Sequence, residues 1–104
     1  MSMYAYVQDV AADWEMYRSV ARSLGDNPPE GIVLRVAGAT DTGFRVIEVW
    51  ESRAAWEDFR TSQLRPALRA LGGDAPDRPP MFADLVVDHV IINEKLFGSV
   101  SLPQ

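Results

Sequence analysis

The sequence predicts one α+β domain whose elements follow in the order β-α-β-β-α-β. Two stretches carry apolar residues at helical spacing, and they alternate with runs that are rich in β-branched and aromatic residues. Two of those runs are joined by a turn-forming cluster, Thr40-Asp41-Thr42-Gly43, which is typical of a hairpin. A chain of 104 residues has room for one hydrophobic core, so we expect a single domain.

The composition is that of a folded protein, with 47% hydrophobic and 24% charged residues. A net charge of -5 without a basic run argues against nucleic acid as a partner. No apolar stretch reaches the roughly 20 residues of a membrane helix, and no signal pattern opens the chain. We therefore expect a cytoplasmic protein without membrane contact. The absence of cysteine and the presence of one histidine predict no metal site.

The first half of the chain predicts a strand at residues 3–8, with Tyr4 and Tyr6 on one face, followed by a helix. Asp13 can cap that helix, and Gly25 and the following Pro28 end it. Four apolar or aromatic residues of the helix share the face expected to lie on the sheet, namely Tyr17, Val20, Ala21 and Leu24.

Two β-rich runs, residues 31–39 and 44–51, form the predicted hairpin. Ser52 can cap a second helix that extends to Leu71, and we expect a break or kink just before Pro66, because proline cannot donate a helical hydrogen bond.

Residues 72–80 hold three prolines and two glycines and predict a loop, and residues 81–92 predict a long fourth strand. The predicted domain thus spans residues 1–92. The tail, 93–104, is apolar for a chain terminus, and we expect it to pack on a partner subunit.

Two helices can cover only one face of a four-stranded sheet. The other face must find a partner or stay exposed, and a two-fold homodimer with facing sheets is the economical closed solution. An open monomer is the alternative.

Three segments resemble the antibiotic biosynthesis monooxygenase superfamily, including its small actinobacterial members. They are PPEGIVLRVAG from Pro28, FRVIEVWES from Phe44, and LRPAL from Leu64. The resemblance implies a ferredoxin-like fold with a four-stranded antiparallel sheet that pairs as a dimeric α/β barrel. It implies a bacterial protein, with secondary metabolism as one setting, and it spans enzymes and proteins of no assigned activity.

Trp50 matches the tryptophan that oxygenases of this superfamily place near the substrate; the alternative is that Trp50 fills core. The haem-degrading members add a histidine on the second helix and an asparagine on the first strand. This chain has neither, so haem degradation is disfavoured.

Arg35 is a charged residue in an otherwise apolar strand. With a two- or four-residue loop centred on Asp41 and Thr42, Arg35 lies across from Glu48, and Trp50 lies across from Val33. A three-residue turn would instead place Arg35 opposite Val49. Arg35 could hold an enolate or phenolate oxygen while Glu48 orients the guanidinium, or the two residues could form a structural ion pair.

Four further residues complete the candidate site. His89 is the only side chain expected to titrate near neutrality and a candidate for proton transfer, although such a histidine is often structural. Tyr4, Tyr6 and Trp56 are candidates for substrate binding beside Val33, and exposed tyrosines at a sheet edge are the alternative.

Two functions remain open. The first is a monooxygenase or cyclase without a cofactor, acting on a hydrophobic aromatic or polyketide-like compound. No cofactor is predicted, since the chain has neither a phosphate-binding glycine loop nor a nucleophile turn. The second is a non-catalytic homodimer that binds a ligand or a protein.

Overall fold

The computed structural model describes residues 2–25, 27–70, 81–93 and 95. Four strands form one antiparallel sheet in the order β2-β3-β1-β4, and helices pack on one of its faces. The strands are β1 (Tyr4–Val10), β2 (Ile32–Thr40), β3 (Gly43–Trp50) and β4 (Met81–Val86), and the helices are α1 (Trp14–Leu24), α2 (Arg53–Phe59) and α3 (Arg65–Ala70). The predicted α+β fold with a four-stranded antiparallel sheet is confirmed, and its pairing as a dimeric barrel stays a prediction.

Helices α1 and α2 begin at the predicted capping residues. The side chain of Asp13 accepts a hydrogen bond from the Met16 N–H at 3.0 Å, and the Ser52 hydroxyl accepts one from the Ala55 N–H at 3.1 Å. Each bond satisfies an N–H that has no partner within the first helical turn. Gly25 ends α1 with a φ of 86°, a conformation that favours glycine.

The predicted irregularity before Pro66 is a π-helical turn, Arg60–Leu64, which joins α2 to α3. Within it, the Arg65 N–H donates to the carbonyl of Arg60, five residues earlier. Pro66 has no N–H to continue the normal ladder, and a widened turn keeps the chain helical around that gap. The helical path is therefore modified and not broken.

The hairpin has a two-residue loop, Asp41-Thr42, and its register pairs Arg35 with Glu48, as the first of the two predicted alternatives requires. The expected pairing of Trp50 with Val33 is wrong. A register shift between Ile32 and Leu34 leaves Val33 in a bulge, and Trp50 pairs with Ile32. Alternation predicts a register but does not reveal an inserted residue.

The fourth strand is shorter than predicted, since it ends at Val86 and not at Ile92. Val86 pairs with Tyr4, the first residue of β1, and the Val87 N–H donates to the Met3 carbonyl at 2.9 Å. Beyond that point β1 offers no more backbone to pair with, so strand propensity alone cannot extend the sheet. The predicted loop at 72–80 and the tail, except residues 93 and 95, lie outside the described residues.

The two faces of the sheet differ sharply in their environment. The helix-covered face carries the core, a cluster of Tyr4, Tyr6, Trp50, Trp56 and Phe59. The opposite face is uncovered and largely apolar; we call it the open face, and its exposed large residues include Leu34, Val36, Ile47 and Leu85. Its one ion pair, among the described residues, joins Arg45 to Asp9.

Candidate functional site

A cavity of about 180 Å³ lies between the helix-covered face of the sheet and the helices. Its wall is mostly apolar, with α1 contributing Met16, Val20, Ala21 and Leu24 and the second helical region contributing Phe59, Leu64 and Leu68. Five polar or phenolic side chains also line it: Tyr6, Gln8, Tyr17, Arg35 and Glu48. Such an apolar cavity with a few convergent polar groups is the usual form of a small-molecule site.

Glu48 is the centre of the polar wall and is only 3% exposed. Its Oε1 accepts a hydrogen bond from the Tyr6 hydroxyl at 2.6 Å and another from the Trp50 Nε1–H at 2.7 Å. Its Oε2 accepts a bond from Arg35 Nε at 2.6 Å. Three donors thus hold one buried carboxylate, which satisfies the requirement that a buried charge be paired and hydrogen-bonded.

Arg35 connects this carboxylate to the cavity. Only its Nε is bonded to Glu48; among the described residues no acceptor bonds its two terminal Nη nitrogens. The side chain is 25% exposed, lines the cavity and lies 5.8 Å from the centre of the Phe59 ring. Arg35 therefore presents unused donors to whatever occupies the cavity.

The charge on Arg35 is held firmly. Burial alone would lower the pKa of its guanidinium, but the charge of Glu48 and the hydrogen bond to it raise that pKa above its ordinary value. Tyr17, which also lines the cavity, adds to this rise.

The two tyrosines of β1 are held neutral. Burial raises the pKa of Tyr6 far above its ordinary range, and the charge of Glu48 adds to the shift. Burial and a hydrogen bond to Asp84, with 2.8 Å between the oxygens, raise the pKa of Tyr4 to about 12. Both hydroxyls already donate to carboxylates, so neither is an available proton donor for a ligand.

The residues predicted from the sequence fall into three groups. Arg35, Glu48 and Tyr6 come together on the cavity wall. Trp50 is fully buried behind Glu48, to which it donates, and Tyr4 and Trp56 lie in the adjoining aromatic cluster with ring centres 5.4 Å apart. Val33 and His89 are exposed and do not line the cavity.

Tyr17 and Gln8 are the polar lining residues that were not among the predicted site residues. Both lay on faces assigned to the sheet–helix interior, so their position could be read from helical and strand periodicity. What the pattern left open is which of these side chains reach the space between the sheet and the helices. The Tyr17 ring stacks on the Trp14 ring with ring centres 4.6 Å apart, and its centre lies 5.6 Å from that of the Phe44 ring on β3.

The described residues contain no group of three or more His, Cys, Asp or Glu side chains placed to hold a metal ion. None of the described helices is both long and apolar enough to cross a membrane.

Comparison with known proteins shows a likeness in structure only. No protein-family model matches the chain, and no curated protein matches it either. A protein of unknown function from Nitrosomonas europaea has a TM-score of 0.64 at 16% identity, over 88% of this chain and 94% of its own. A candidate antibiotic biosynthesis monooxygenase from Caulobacter crescentus has the same TM-score and identity, over 85% and 92%.

A monooxygenase of Streptomyces coelicolor, solved in complex with nanaomycin D, has a TM-score of 0.50 at 22% identity, over 88% of this chain and 92% of its own. The chain thus has the ferredoxin-like fold of antibiotic biosynthesis monooxygenase-like proteins, and the resemblance noted in the sequence is confirmed at the level of fold.

Proposed function

We propose that the chain is a small-molecule protein whose cavity holds the oxygen of a hydrophobic aromatic or polyketide-like compound against Arg35, and that it acts as a cofactor-independent monooxygenase or cyclase. The observation that carries the proposal is an arginine on the wall of a mostly apolar cavity, whose two Nη nitrogens have no acceptor among the described residues. The shared fold with monooxygenase-like proteins agrees with it.

The side chains of the site divide the work. Arg35 binds and stabilises a phenolate or enolate oxygen, Glu48 fixes the guanidinium through Nε, and Trp50 and Tyr6 fix Glu48. Trp50 is therefore a positioning residue. Both oxygens of Glu48 already accept hydrogen bonds from Tyr6, Trp50 and Arg35, so no proton transfer to Glu48 is proposed and the substrate enters the cavity ionised.

Oxygenation can then proceed on the substrate's own electrons. The bound anion gives one electron to O2, and the resulting substrate radical and superoxide combine to form a carbon–oxygen bond. The peroxide takes up a proton from water, and loss of water leaves a new carbonyl at the oxidised carbon. The protein contributes binding and charge stabilisation.

Oxygen consumption by the purified chain with a single-ring hydroquinone such as methylhydroquinone, and no added metal or flavin, tests this activity. We expect Arg35→Gln to abolish the protein-dependent rate and Trp50→Phe to reduce it. Arg45→Gln is the matched control, since Arg45 is also bonded through Nε to a strand carboxylate at 2.6 Å but lies on the open face. Equal rates in wild type and Arg35→Gln would contradict the assignment.

One observation favours the second function, a non-catalytic binding module. His89, the side chain best suited to proton transfer near neutrality, is exposed and away from the cavity, and the cavity carboxylate is fully bonded. If the hydroquinone binds without protein-dependent oxygen uptake, binding is the function.

We also propose that the chain works as a homodimer in the cytoplasm. The large apolar residues of the open face support a second copy as its cover, because one chain supplies helices to only one face.

A further inference from the structure

The size of the cavity limits what it can hold. Sites for drug-sized ligands usually measure about 300–1,000 Å³. An apolar cavity of about 150 Å³ inside another protein takes up benzene. At about 180 Å³, the cavity of this chain fits one six-membered ring with a small substituent, or an aliphatic chain of similar volume.

The walls limit the shape of the ligand in the same way. Leu64 and Leu68 line the side formed by the second helical region, and the Phe59 ring lies 5.8 Å from the guanidinium of Arg35. Phe59 is 4% exposed and packs on Trp50 with ring centres 5.2 Å apart, so its ring cannot move aside without disturbing the core. The boundary near Arg35 is therefore rigid.

The chemistry of the ligand's head group follows from Arg35. A guanidinium offers donors only, and its two Nη nitrogens match the two oxygens of a carboxylate or the single oxygen of a phenolate. Hydrogen bonds to an ionised acceptor are roughly twice as strong as those between neutral groups. Three donors, among them Arg35 Nε, already hold the Glu48 carboxylate. The Nη nitrogens of Arg35 are therefore left for a second oxyanion.

From these observations we infer that the cavity selects a small hydrophobic monoanion: one ring or a short chain, carrying a single oxyanion that binds the Nη edge of Arg35. The inference rests on the proposed small-molecule function and narrows its ligand to a size below that of polycyclic compounds. The oxyanion can be a carboxylate or an ionised phenol or enol.

Calorimetric titration of the full chain with a graded set of ligands tests both parts. The probes are benzoate, its neutral analogue benzamide, naphthoate and anthracenecarboxylate; para-nitrophenol, whose ionised form absorbs visible light, tests the phenolate as head group. We expect benzoate to bind at least about tenfold more tightly than benzamide or anthracenecarboxylate, a factor equal to about 1.4 kcal/mol. Binding should also favour the coloured form of para-nitrophenol.

Variants locate the effect. Arg35→Gln should weaken the binding of benzoate at least about tenfold, which again equals about 1.4 kcal/mol. Arg45→Gln, on the open face, should leave the affinity for benzoate unchanged. Leu68→Ala enlarges the cavity and should raise the affinity for naphthoate relative to that for benzoate. If Arg35→Gln fails to fold, the comparison of ligands on the wild-type chain still decides.

The outcomes separate the inference from the function on which it rests. If anthracenecarboxylate binds as tightly as benzoate, the size limit is wrong. If benzamide binds as tightly as benzoate, the selection of an oxyanion is wrong. In either case the cavity remains a ligand site. Failure of every probe to bind would remove the proposed small-molecule function itself.

Discussion

Among single residues, Glu48 contributes both to the stability of the fold and to the proposed site. Two arginine–carboxylate pairs in this sheet have the same Nε–oxygen distance of 2.6 Å, Arg35 with Glu48 and Arg45 with Asp9. They differ in surroundings: the Glu48 side chain is 4% exposed and the Asp9 side chain 37%. Exposed pairs contribute little to stability, whereas breaking a buried one leaves charges and donors unpaired.

We therefore predict unequal effects when each carboxylate is made neutral. Glu48→Gln should lower the free energy of unfolding by about 3 kcal/mol, the low end for a buried pair, because Arg35 keeps some contact with solvent. Asp9→Asn should cause a much smaller loss. Urea unfolding of both variants measures the difference, and equal losses would show that Glu48 is not the buried centre described above.

Tyr4 gives the fold a dependence on alkaline pH. Its pKa is about 12 in the folded chain, and an unfolded tyrosine ionises near pH 10. A raised folded pKa means that the stabilisation is fully present below about pH 10 and is lost as the pH rises toward 12. Tyr6 acts in the same direction, since its pKa is also raised.

Stability measured across this range should accordingly decline in the wild type, and decline less steeply in Tyr4→Phe. Urea midpoints at successive pH values provide the measurement. Identical slopes for the two proteins would mean that Tyr4 ionises equally well in the folded and unfolded states.

The hairpin is the element that sets the site. Its two-residue loop places Arg35 opposite Glu48, and Gly43 allows the close approach of β3 to the end of β1. A Cβ on Gly43 would overlap the carbonyl oxygen of Val10, whereas a Cβ on Gly38 would meet nothing within 4 Å.

Gly43→Ala should thus destabilise the chain by about 1–3 kcal/mol, the usual effect of overpacking. Gly38→Ala should be neutral or slightly stabilising, because alanine restricts the unfolded chain. Thermal or urea unfolding of the two variants tests this. An unchanged free energy of unfolding in Gly43→Ala would indicate that the loop can move away from β1.

Local signals explain how much of this architecture the sequence predicted. Caps at Asp13 and Ser52, the turn at Asp41-Thr42 and the irregularity before Pro66 are read from neighbouring residues, and all are present. The bulge at Val33 and the end of β4 depend on what lies across the sheet, which no local pattern records. The extent of the cavity and the choice between the two roles stated for Trp50 depend on three-dimensional packing, so the sequence left both open.

The molecule as a whole has one face covered by its own helices and one face left apolar. Val36, Ile47 and Leu85 are among the residues exposed on the open face, and the Arg45–Asp9 pair is the ionic contact described on it. An exposed patch of large apolar residues of this kind is characteristic of a surface that pairs with another copy.

Sedimentation equilibrium should give a mass of twice 11.6 kDa for the wild type at micromolar concentration. Ile47→Lys should reduce the mass to that of one chain, because a charge would be buried between the sheets. Ser23→Lys, on the exposed side of α1, serves as the control and should remain dimeric. A monomeric wild type would refute the proposed dimer.

The proposed function depends on Arg35 holding the oxygen of a ligand inside the cavity. Arginine side-chain N–H signals in a nitrogen-edited NMR spectrum report on this directly, with benzoate added in steps. Saturable shifts of the Arg35 signals, with those of Arg45 unmoved, are the predicted result. If the Arg35 signals stay fixed while benzoate binds elsewhere, the account of this site is wrong.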